Sequence, residues 1–461
     1  MGSEFIQELV KYWVSLSYTS IQENQKVSKM TFRQIIMPIF LLDDPKMTPI
    51  NTPRIYQRLS FIAISALLAL FLLGCSALER KSAVPAHALN KAQIVGLPSV
   101  RYLISTQAGV DSLVDDVIAL EASRGKNAFT GDANYLALSG GGDDGAFGAG
   151  LLVGWTKQGT RPTFNLVTGI STGALIAPFA FLGKDYDPIL QQVYTTIKPS
   201  DVYLERGVLS GIFSDGLADS TPLYQLISKY IDADFLKKIA HEYNTNGRWL
   251  LIGTTNIDAG QPVIWNMGRI ASIGSTEAIE LFRRIMLASA SIPGAFPPVM
   301  FDFLLDGKVF QEMHVDGGAS TQVFLYPASA AGKAKELGIK RRDNRQAYII
   351  RNSRLDPRWN ETERRTLSVA GKAISQLIQT QGIGDLYRIY NTAKSDDVGF
   401  NLAYIGSDFN EPHNEEFDTK YMNALFQYGY EHAIKGYPWS KHPPGFKGAF
   451  DTDGEKMTIK K

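Results

Sequence analysis

The segment from residue 134 to residue 183 shows one pattern twice: a short apolar run, a turn rich in glycine, and a run typical of a helix. The first unit reads YLALSG, GGDDG and AFGAGLLVGWTKQG, and the second reads FNLVTG followed by STGALIAPFAFLG. A strand that turns at glycine directly into a helix is typical of α/β folds with parallel strands. The pattern therefore predicts an α/β fold with a mostly parallel central sheet and helices on both faces.

Other stretches predict further elements of the same fold. Strands are predicted at residues 249–256, 263–267 and 348–351. Helices are predicted at residues 109–123, 222–230 and 276–290, the first because its apolar residues follow helical spacing. The last hundred residues are predicted to be helical and rich in tyrosine, with a polar tail after Pro443.

Length and composition limit the class of protein. The chain has 461 residues, enough for one large domain or two ordinary ones, and 44% of them are hydrophobic. A formal net charge of +1 gives no reason to expect nucleic acid as a partner. A single cysteine excludes an intrachain disulfide and argues against a cysteine-based metal site.

That cysteine, Cys75, follows an apolar run at residues 59–73, which Arg54 and Arg58 precede. A secretory signal peptide has a basic start, then an apolar run, then small residues before its cleavage site. The sequence L-L-G-C resembles the lipobox of bacterial lipoproteins, in which the cysteine is lipidated, and Ser76 resembles the outer-membrane sorting pattern. We therefore predict a lipid-anchored protein of the bacterial cell envelope, at the outer membrane. The alternatives are a buried helix or an uncleaved anchor, which would be short because a span needs about 20 residues.

The first glycine turn contains Gly140, Gly142 and Gly145, which satisfy G-x-G-x-x-G between a strand and a helix. A dinucleotide fold has this pattern, but it also needs an acidic residue at the end of the next strand, where this chain has glycine and then serine. A phosphate-binding P-loop fails as well, because no lysine follows Gly145. Glycine amides at a helix N-terminus instead suit an oxyanion that forms transiently.

The second turn, G-I-S-T-G, places Ser171 between Gly169 and Gly173, as in a nucleophile elbow. The same motif also occurs as a tight loop without chemistry. A serine nucleophile needs a base to take its proton. The candidates are Asp316, which stands at a strand end before two glycines, and His314, which lies on the same face of an extended strand.

Three motifs in this order resemble those of patatin-like phospholipases of the bacterial lipoprotein type: SGGGDDG at 139–145, GISTG at 169–173 and DGG at 316–318. Segments 220–227, 251–268 and 287–299 are similar to family segments that frame the catalytic cleft. The resemblance implies a three-layer patatin-like fold. It also implies hydrolysis of lipid carboxylic esters through an acyl-serine intermediate, with phospholipase A-like or lysophospholipase activity.

Position by position, the resemblance makes Ser171 the nucleophile and Asp316 its partner in a Ser–Asp dyad. It assigns the oxyanion hole to the amides of one loop, Gly141 and Gly142, with Gly140 and Gly145 in support. It implies no metal and no cofactor. Burial of Asp316 would raise its pKa and make it a better proton acceptor. A triad assisted by His314 is the alternative.

The chain departs from the family pattern at Asp144, where arginine or lysine is common, and Asp143 precedes it. A neutral or zwitterionic lipid, or a plain ester, is therefore the expected substrate, and Asp143 is expected to be a solvated turn residue. Phe179 and Phe296 are expected either to belong to the core or to guide acyl chains. Two other functions stay open: a membrane-anchored scaffold that binds lipid or a partner without catalysis, and a thioesterase or transacylase.

These predictions divide the chain into five parts. Residues 1–46 are an N-terminal extension that is unreliable for predicting the fold, and residues 47–75 are the predicted lipoprotein signal peptide. A linker with the first helix follows at 76–130, the patatin-like catalytic core at 131–355, and a helical C-terminal region at 356–461.

Overall fold

A computed structural model describes residues 78–125, 130–206, 214–339, 342–357, 359 and 361–446. The extension, the predicted signal peptide and Cys75 lie outside these ranges, so the lipid anchor stays a prediction. Over the described ranges, no helix combines the length and the apolar character that crossing a membrane requires.

The strands are β1 (Gln93–Ile94), β2 (Arg101–Tyr102), β3 (Ala133–Leu138), β4 (Leu166–Gly169), β5 (Leu204–Glu205), β6 (Ala218–Asp219), β7 (Trp249–Asn256), β8 (Gln261–Asn266), β9 (Val299–Leu305), β10 (Lys308–Asp316), β11 (Arg345–Arg354) and β12 (Gly399–Ile405). The helices are α1 (Gln107–Ser123), α2 (Gly145–Gln158), α3 (Thr172–Leu182), α4 (Asp187–Thr196), α5 (Pro199–Val202), α6 (Thr221–Tyr230), α7 (Ala233–Asn244), α8 (Met267–Ile273), α9 (Thr276–Ser289), α10 (Ala328–Glu336), α11 (Thr366–Ser395) and α12 (Thr419–Ile434).

The main sheet has a parallel centre and an antiparallel extension. Its central strands run in the order β7, β4, β3, β11, β12, and each neighbouring pair is parallel. Beyond β7 the pairing becomes antiparallel, through β10, β9 and β1 in one direction and through β8 and β2 in the other. The predicted α/β fold with a central parallel sheet is confirmed.

Helices cover both faces of this sheet. Consecutive residues of a strand point to opposite faces, and Ile349 and Ile350 of β11 accordingly belong to different core clusters. The cluster of Ile350 contains Phe147 of α2 and Phe426 of α12, whereas that of Ile349 contains Leu386 of α11. The parallel centre is therefore buried on both sides, as such sheets require.

The topology brings the two glycine turns together. Leu138, the last residue of β3, pairs with Gly169, the last residue of β4, so both turns lie at the same edge of the sheet. The hairpin of β9 and β10 then returns to this edge, because Asp316 at the end of β10 pairs with Thr254 of β7. Segments more than one hundred residues apart in sequence thus meet at the carboxyl ends of the parallel strands.

Two of the predicted parts contain sheet strands that the sequence analysis did not anticipate. The predicted helical C-terminal region contains β12, which extends the parallel centre beside β11. The predicted linker contains β1 and β2, which pair with β9 and β8. Short apolar runs such as GFNLAYI carry no reliable periodicity, and only pairing partners decide that they are strands. The described residues accordingly form one compact unit.

Candidate active site

Ser171 lies on a sharp turn between β4 and α3. Its backbone has φ 55° and ψ −127°, a left-handed conformation that strains a residue with a side chain by about 1–3 kcal/mol. The Ser289 hydroxyl accepts a hydrogen bond from the Ser171 amide at 3.0 Å and donates one to the Gly253 carbonyl at 2.7 Å. Ser289 thereby ties the strained turn to β7.

The glycines on either side of Ser171 are required by close contacts. A Cβ atom at Gly169 would overlap the Gly173 carbonyl at the start of α3. A Cβ atom at Gly173 would overlap the Leu138 carbonyl at the end of β3. The turn can be this tight only because neither position carries a side chain.

Asp316 ends β10 and is almost completely buried, with 4% of its surface exposed. Its Oδ1 accepts a hydrogen bond from the Gly318 amide at 2.7 Å, while Oδ2 has no hydrogen-bond partner among the described residues. Burial raises the pKa of the carboxyl to about 7, and the neighbouring Ser171 hydroxyl and the Gly318 amide oppose this rise. The two side chains are therefore adjacent, although their geometry falls short of a formed hydrogen bond.

The four glycines of the first turn differ in what their amides do. The Gly140 amide donates to the Gln322 carbonyl at 3.0 Å, and the Gly145 amide donates back into the turn, to Gly142 and Asp143. The amides of Gly141 and Gly142 make no hydrogen bond within the described ranges. These two amides are thus free to act as donors beside Ser171.

Asn352, just beyond the predicted strand at 348–351, holds this turn in place. Its amide donates to Ser139 Oγ at 2.8 Å and its Nδ2 donates to the Ser139 carbonyl at 2.9 Å. Its Oδ1 accepts from the Gly148 amide of α2 at 3.1 Å. The sequence analysis missed Asn352, although a polar residue at the end of a buried parallel strand is a signal that could have found it.

A comparison with protein families matches the part of the chain that carries these residues. Residues 136–329 match the family model described as patatin-like phospholipase, and this stretch contains the glycine turn, Ser171 and Asp316. Residues 136–329 are therefore a patatin-like phospholipase domain. The family indicates a lipid acyl hydrolase in general.

No curated protein matches the chain. Among solved structures, VipD from Legionella pneumophila is similar at 10% identity with a TM-score of 0.30. That match covers 66% of this chain and 66% of the VipD chain, just under two thirds of its length.

His314 of the patatin-like domain is engaged elsewhere. It is fully buried, its Nδ1 lies 2.8 Å from Thr254 Oγ1, and its Nε2 lies 3.1 Å from Glu312 Oε2. Because Nε2 faces a carboxylate oxygen, which accepts, Nε2 carries the proton and donates to Glu312, and Nδ1 of the neutral ring accepts from the Thr254 hydroxyl. Burial lowers the pKa of His314, so the ring is neutral and has no free nitrogen for Ser171.

Asp143 of the patatin-like domain is not the solvated turn residue that was expected. Its side chain is buried, and its Oδ2 accepts hydrogen bonds from His413 Nε2 at 2.7 Å and from the Phe417 amide at 2.8 Å. The expectation was wrong because the partners lie 270 residues away, in the segment before α12. The neighbouring Asp144 is also engaged, since the Tyr421 hydroxyl donates to its Oδ1 at 2.6 Å.

Asp143, His413 and Glu416 are the residues whose side chains could hold a metal ion here, because their ligand atoms all lie within 4.8 Å of one another. The hydrogen bond to Asp143 raises the pKa of His413, which favours a proton between the two groups. The arrangement is thus held by hydrogen bonds, and we assign no metal to it.

An apolar pocket opens beside Ser171 and Gly142. Its volume is about 70 Å³, and its walls include Leu175, Phe179, Ile227, Met286, Phe296 and Phe417. Phe179 and Phe296 are 7% and 5% exposed, so they belong to the core and line the pocket at the same time. A cavity about half the size of one that holds benzene accepts only a few carbon atoms without rearrangement.

Proposed function

We propose that the protein hydrolyses carboxylic esters of lipids through an acyl-serine intermediate formed on Ser171. The observation that carries this proposal is the buried Asp316 carboxyl, which lies next to a serine on a strained elbow and whose Oδ2 has no hydrogen-bond partner among the described residues. A carboxyl with an ordinary pKa is a weak base at neutral pH, whereas one near 7 suits proton transfer at that pH. The apolar pocket beside the serine supports an acyl chain as the bound group.

The proposed reaction has two halves that use the same groups. Ser171 Oγ attacks the ester carbonyl while its proton moves to Asp316 Oδ2, and the amides of Gly141 and Gly142 donate to the developing oxyanion. Collapse of the tetrahedral intermediate breaks the bond to the alcohol, which leaves with the proton held by Asp316. Water then attacks the acyl group, gives a proton to Asp316, and releases the acid and the free serine.

The pH dependence of this reaction follows from the raised pKa of Asp316. Below pH 7 the carboxyl is protonated and cannot accept the serine proton. We expect kcat/KM to rise about tenfold per pH unit up to a midpoint near pH 7 and then to level off. Initial rates between pH 5 and pH 9 measure this profile, and a midpoint near pH 4 would contradict the assigned base.

The charge around the turn favours substrates without net negative charge. Asp143 and Asp144 are held by hydrogen bonds from the segment before α12 and from α12 itself, and they stay beside the site. We propose that zwitterionic phospholipids and lysophospholipids, or uncharged esters, are preferred over anionic phospholipids.

A substrate panel tests the proposed function. We expect short uncharged esters such as p-nitrophenyl butyrate to be cleaved at least about tenfold faster than the palmitate ester, because the pocket admits few carbons as it stands. Phosphatidylcholine and its lyso form should be cleaved faster than phosphatidylglycerol. Absence of hydrolysis across the panel, with folded protein, would contradict an esterase, and faster cleavage of the anionic lipid would contradict the proposed head-group preference.

A further inference from the structure

Gln322 connects the two halves of the candidate site. Its backbone carbonyl accepts the Gly140 amide at 3.0 Å, which anchors the glycine turn. Its side-chain Nε2 donates to the Gly318 carbonyl at 2.8 Å, in the turn that follows Asp316. One residue thus holds both the loop that carries the free amides and the turn that carries the acid.

The bond to Gly318 bears directly on Asp316. The Gly318 amide is the hydrogen-bond donor to Asp316 Oδ1, so the orientation of this glycine sets which carboxyl oxygen is satisfied. Oδ2 is then the oxygen left without a hydrogen-bond partner among the described residues. A Cβ atom placed on Gly140 would lie 3.2 Å from both Gln322 Oε1 and Ser171 Cβ, so Gly140 packs closely against both residues.

Gln322 is in turn held from outside the family-matched stretch. Its backbone amide donates to Asp385 Oδ2 of α11 at 2.6 Å. The Asp385 side chain is 1% exposed and contacts Arg388, and its charge also acts on the buried Arg351 of β11. A buried carboxylate that accepts a backbone N–H makes a strong, charge-assisted hydrogen bond. Helix α11, which follows the matched residues 136–329, therefore takes part in building the site.

We propose that Gln322 is a positioning residue for ester hydrolysis and that Asp385 of α11 holds it in place. The proposal rests on the proposed function, because the groups that Gln322 orients are those that act in the proposed reaction. They are the Asp316 carboxyl and the amides of Gly141 and Gly142. Gln322 itself exchanges no proton with the substrate. Loss of its side-chain bond displaces reacting groups without emptying the acyl pocket, and displacements of about 1 Å cost on the order of 100-fold in rate.

The test is a Gln322→Met variant, which keeps the shape of the side chain and its backbone bonds but loses the donor to Gly318. We expect kcat on p-nitrophenyl butyrate to fall about 10- to 100-fold while KM changes less than about threefold. The pH midpoint should also move upward, because a loosened Gly318 amide stabilises the ionised Asp316 less. Gln379→Met is the matched control, since Gln379 lies on α11 and its side-chain Nε2 likewise donates to a backbone carbonyl, that of Asp356.

A second pair of variants tests the role of Asp385. Asp385→Asn keeps an oxygen acceptor for the Gln322 amide and should retain most of the activity, whereas Asp385→Ala should lose activity as Gln322→Met does. A folded Gln322→Met protein with wild-type kcat and pH midpoint would overturn the proposal. Loss of activity only in proportion to loss of folded protein would overturn it as well. A wild-type protein without Ser171-dependent turnover would instead overturn the proposed function, and the positioning role with it.

Discussion

Replacing Ser171 with alanine should reduce ester hydrolysis by on the order of 10⁴-fold or more. The Ser171 hydroxyl oxygen forms the acyl intermediate in the proposed reaction. The neighbouring Asp316 carboxyl occupies a different position and cannot act as the nucleophile in its place. The fold should be unaffected, because the Ser171 backbone amide, not its side chain, makes the bond to Ser289. Initial rates on p-nitrophenyl butyrate and covalent labelling by a fluorophosphonate measure the effect.

A matched control for this variant is Ser291→Ala. Ser291 is also buried, but its hydroxyl only donates to the Leu287 carbonyl one turn earlier. We expect the fluorophosphonate to label the control variant, and we expect this variant to hydrolyse p-nitrophenyl butyrate at the wild-type rate. Labelling that persists in folded Ser171→Ala protein would show that another residue is the nucleophile, and absence of labelling in the wild type would favour a scaffold that binds lipid without catalysis.

Replacing Asp316 with asparagine should reduce kcat by about 10³- to 10⁴-fold and remove the midpoint near pH 7. An amide of the same shape preserves the turn but cannot accept the serine proton. The rate of fluorophosphonate labelling should fall in parallel, since the same proton transfer activates the serine. His314→Gln serves as the control, and activity lost in both variants while both proteins stay folded would support the alternative triad.

The same substitution should stabilise the protein at alkaline pH. The folded-state pKa of Asp316 is about 7, against an ordinary value of 3.8, so the folded state holds a proton that the unfolded state has lost. Stability therefore falls as pH rises from about 4 to about 7, and the loss is complete above pH 7. At about 1.4 kcal/mol per pKa unit this loss amounts to on the order of 4 kcal/mol.

Asp316→Asn removes that penalty because it removes the ionisable group. Thermal melts at pH 5 and pH 8 measure the effect, and we expect the variant to gain over the wild type at pH 8 and to gain less at pH 5. Equal melting temperatures for the two proteins at pH 8 would contradict a raised pKa. A gain in stability together with a loss of activity is typical of substitutions at a residue that serves function and destabilises the fold.

Local sequence patterns predicted the centre of the fold because each strand–turn–helix unit is specified by a few consecutive residues. The units β3 with α2 and β4 with α3 occur where the apolar runs and glycine turns indicated, and the predicted strand at 249–256 is β7. The antiparallel hairpin and β12 were harder to predict, since a strand at either position is stabilised by partners distant in sequence. The position of β12 beside β11 could not be derived from its own seven residues.

For the candidate site, the sequence by itself determined the elbow, because the overlap that excludes side chains at Gly169 and Gly173 arises within two adjacent turns. Only the tertiary structure decided which glycine amides are free, which oxygen of Asp316 has no hydrogen-bond partner among the described residues, and that Asp143 is buried rather than solvated. The physical reason is the same in each case. Hydrogen bonds from Gln322, Asn352 and His413 and the burial that shifts a pKa depend on segments that meet only when the sheet is complete.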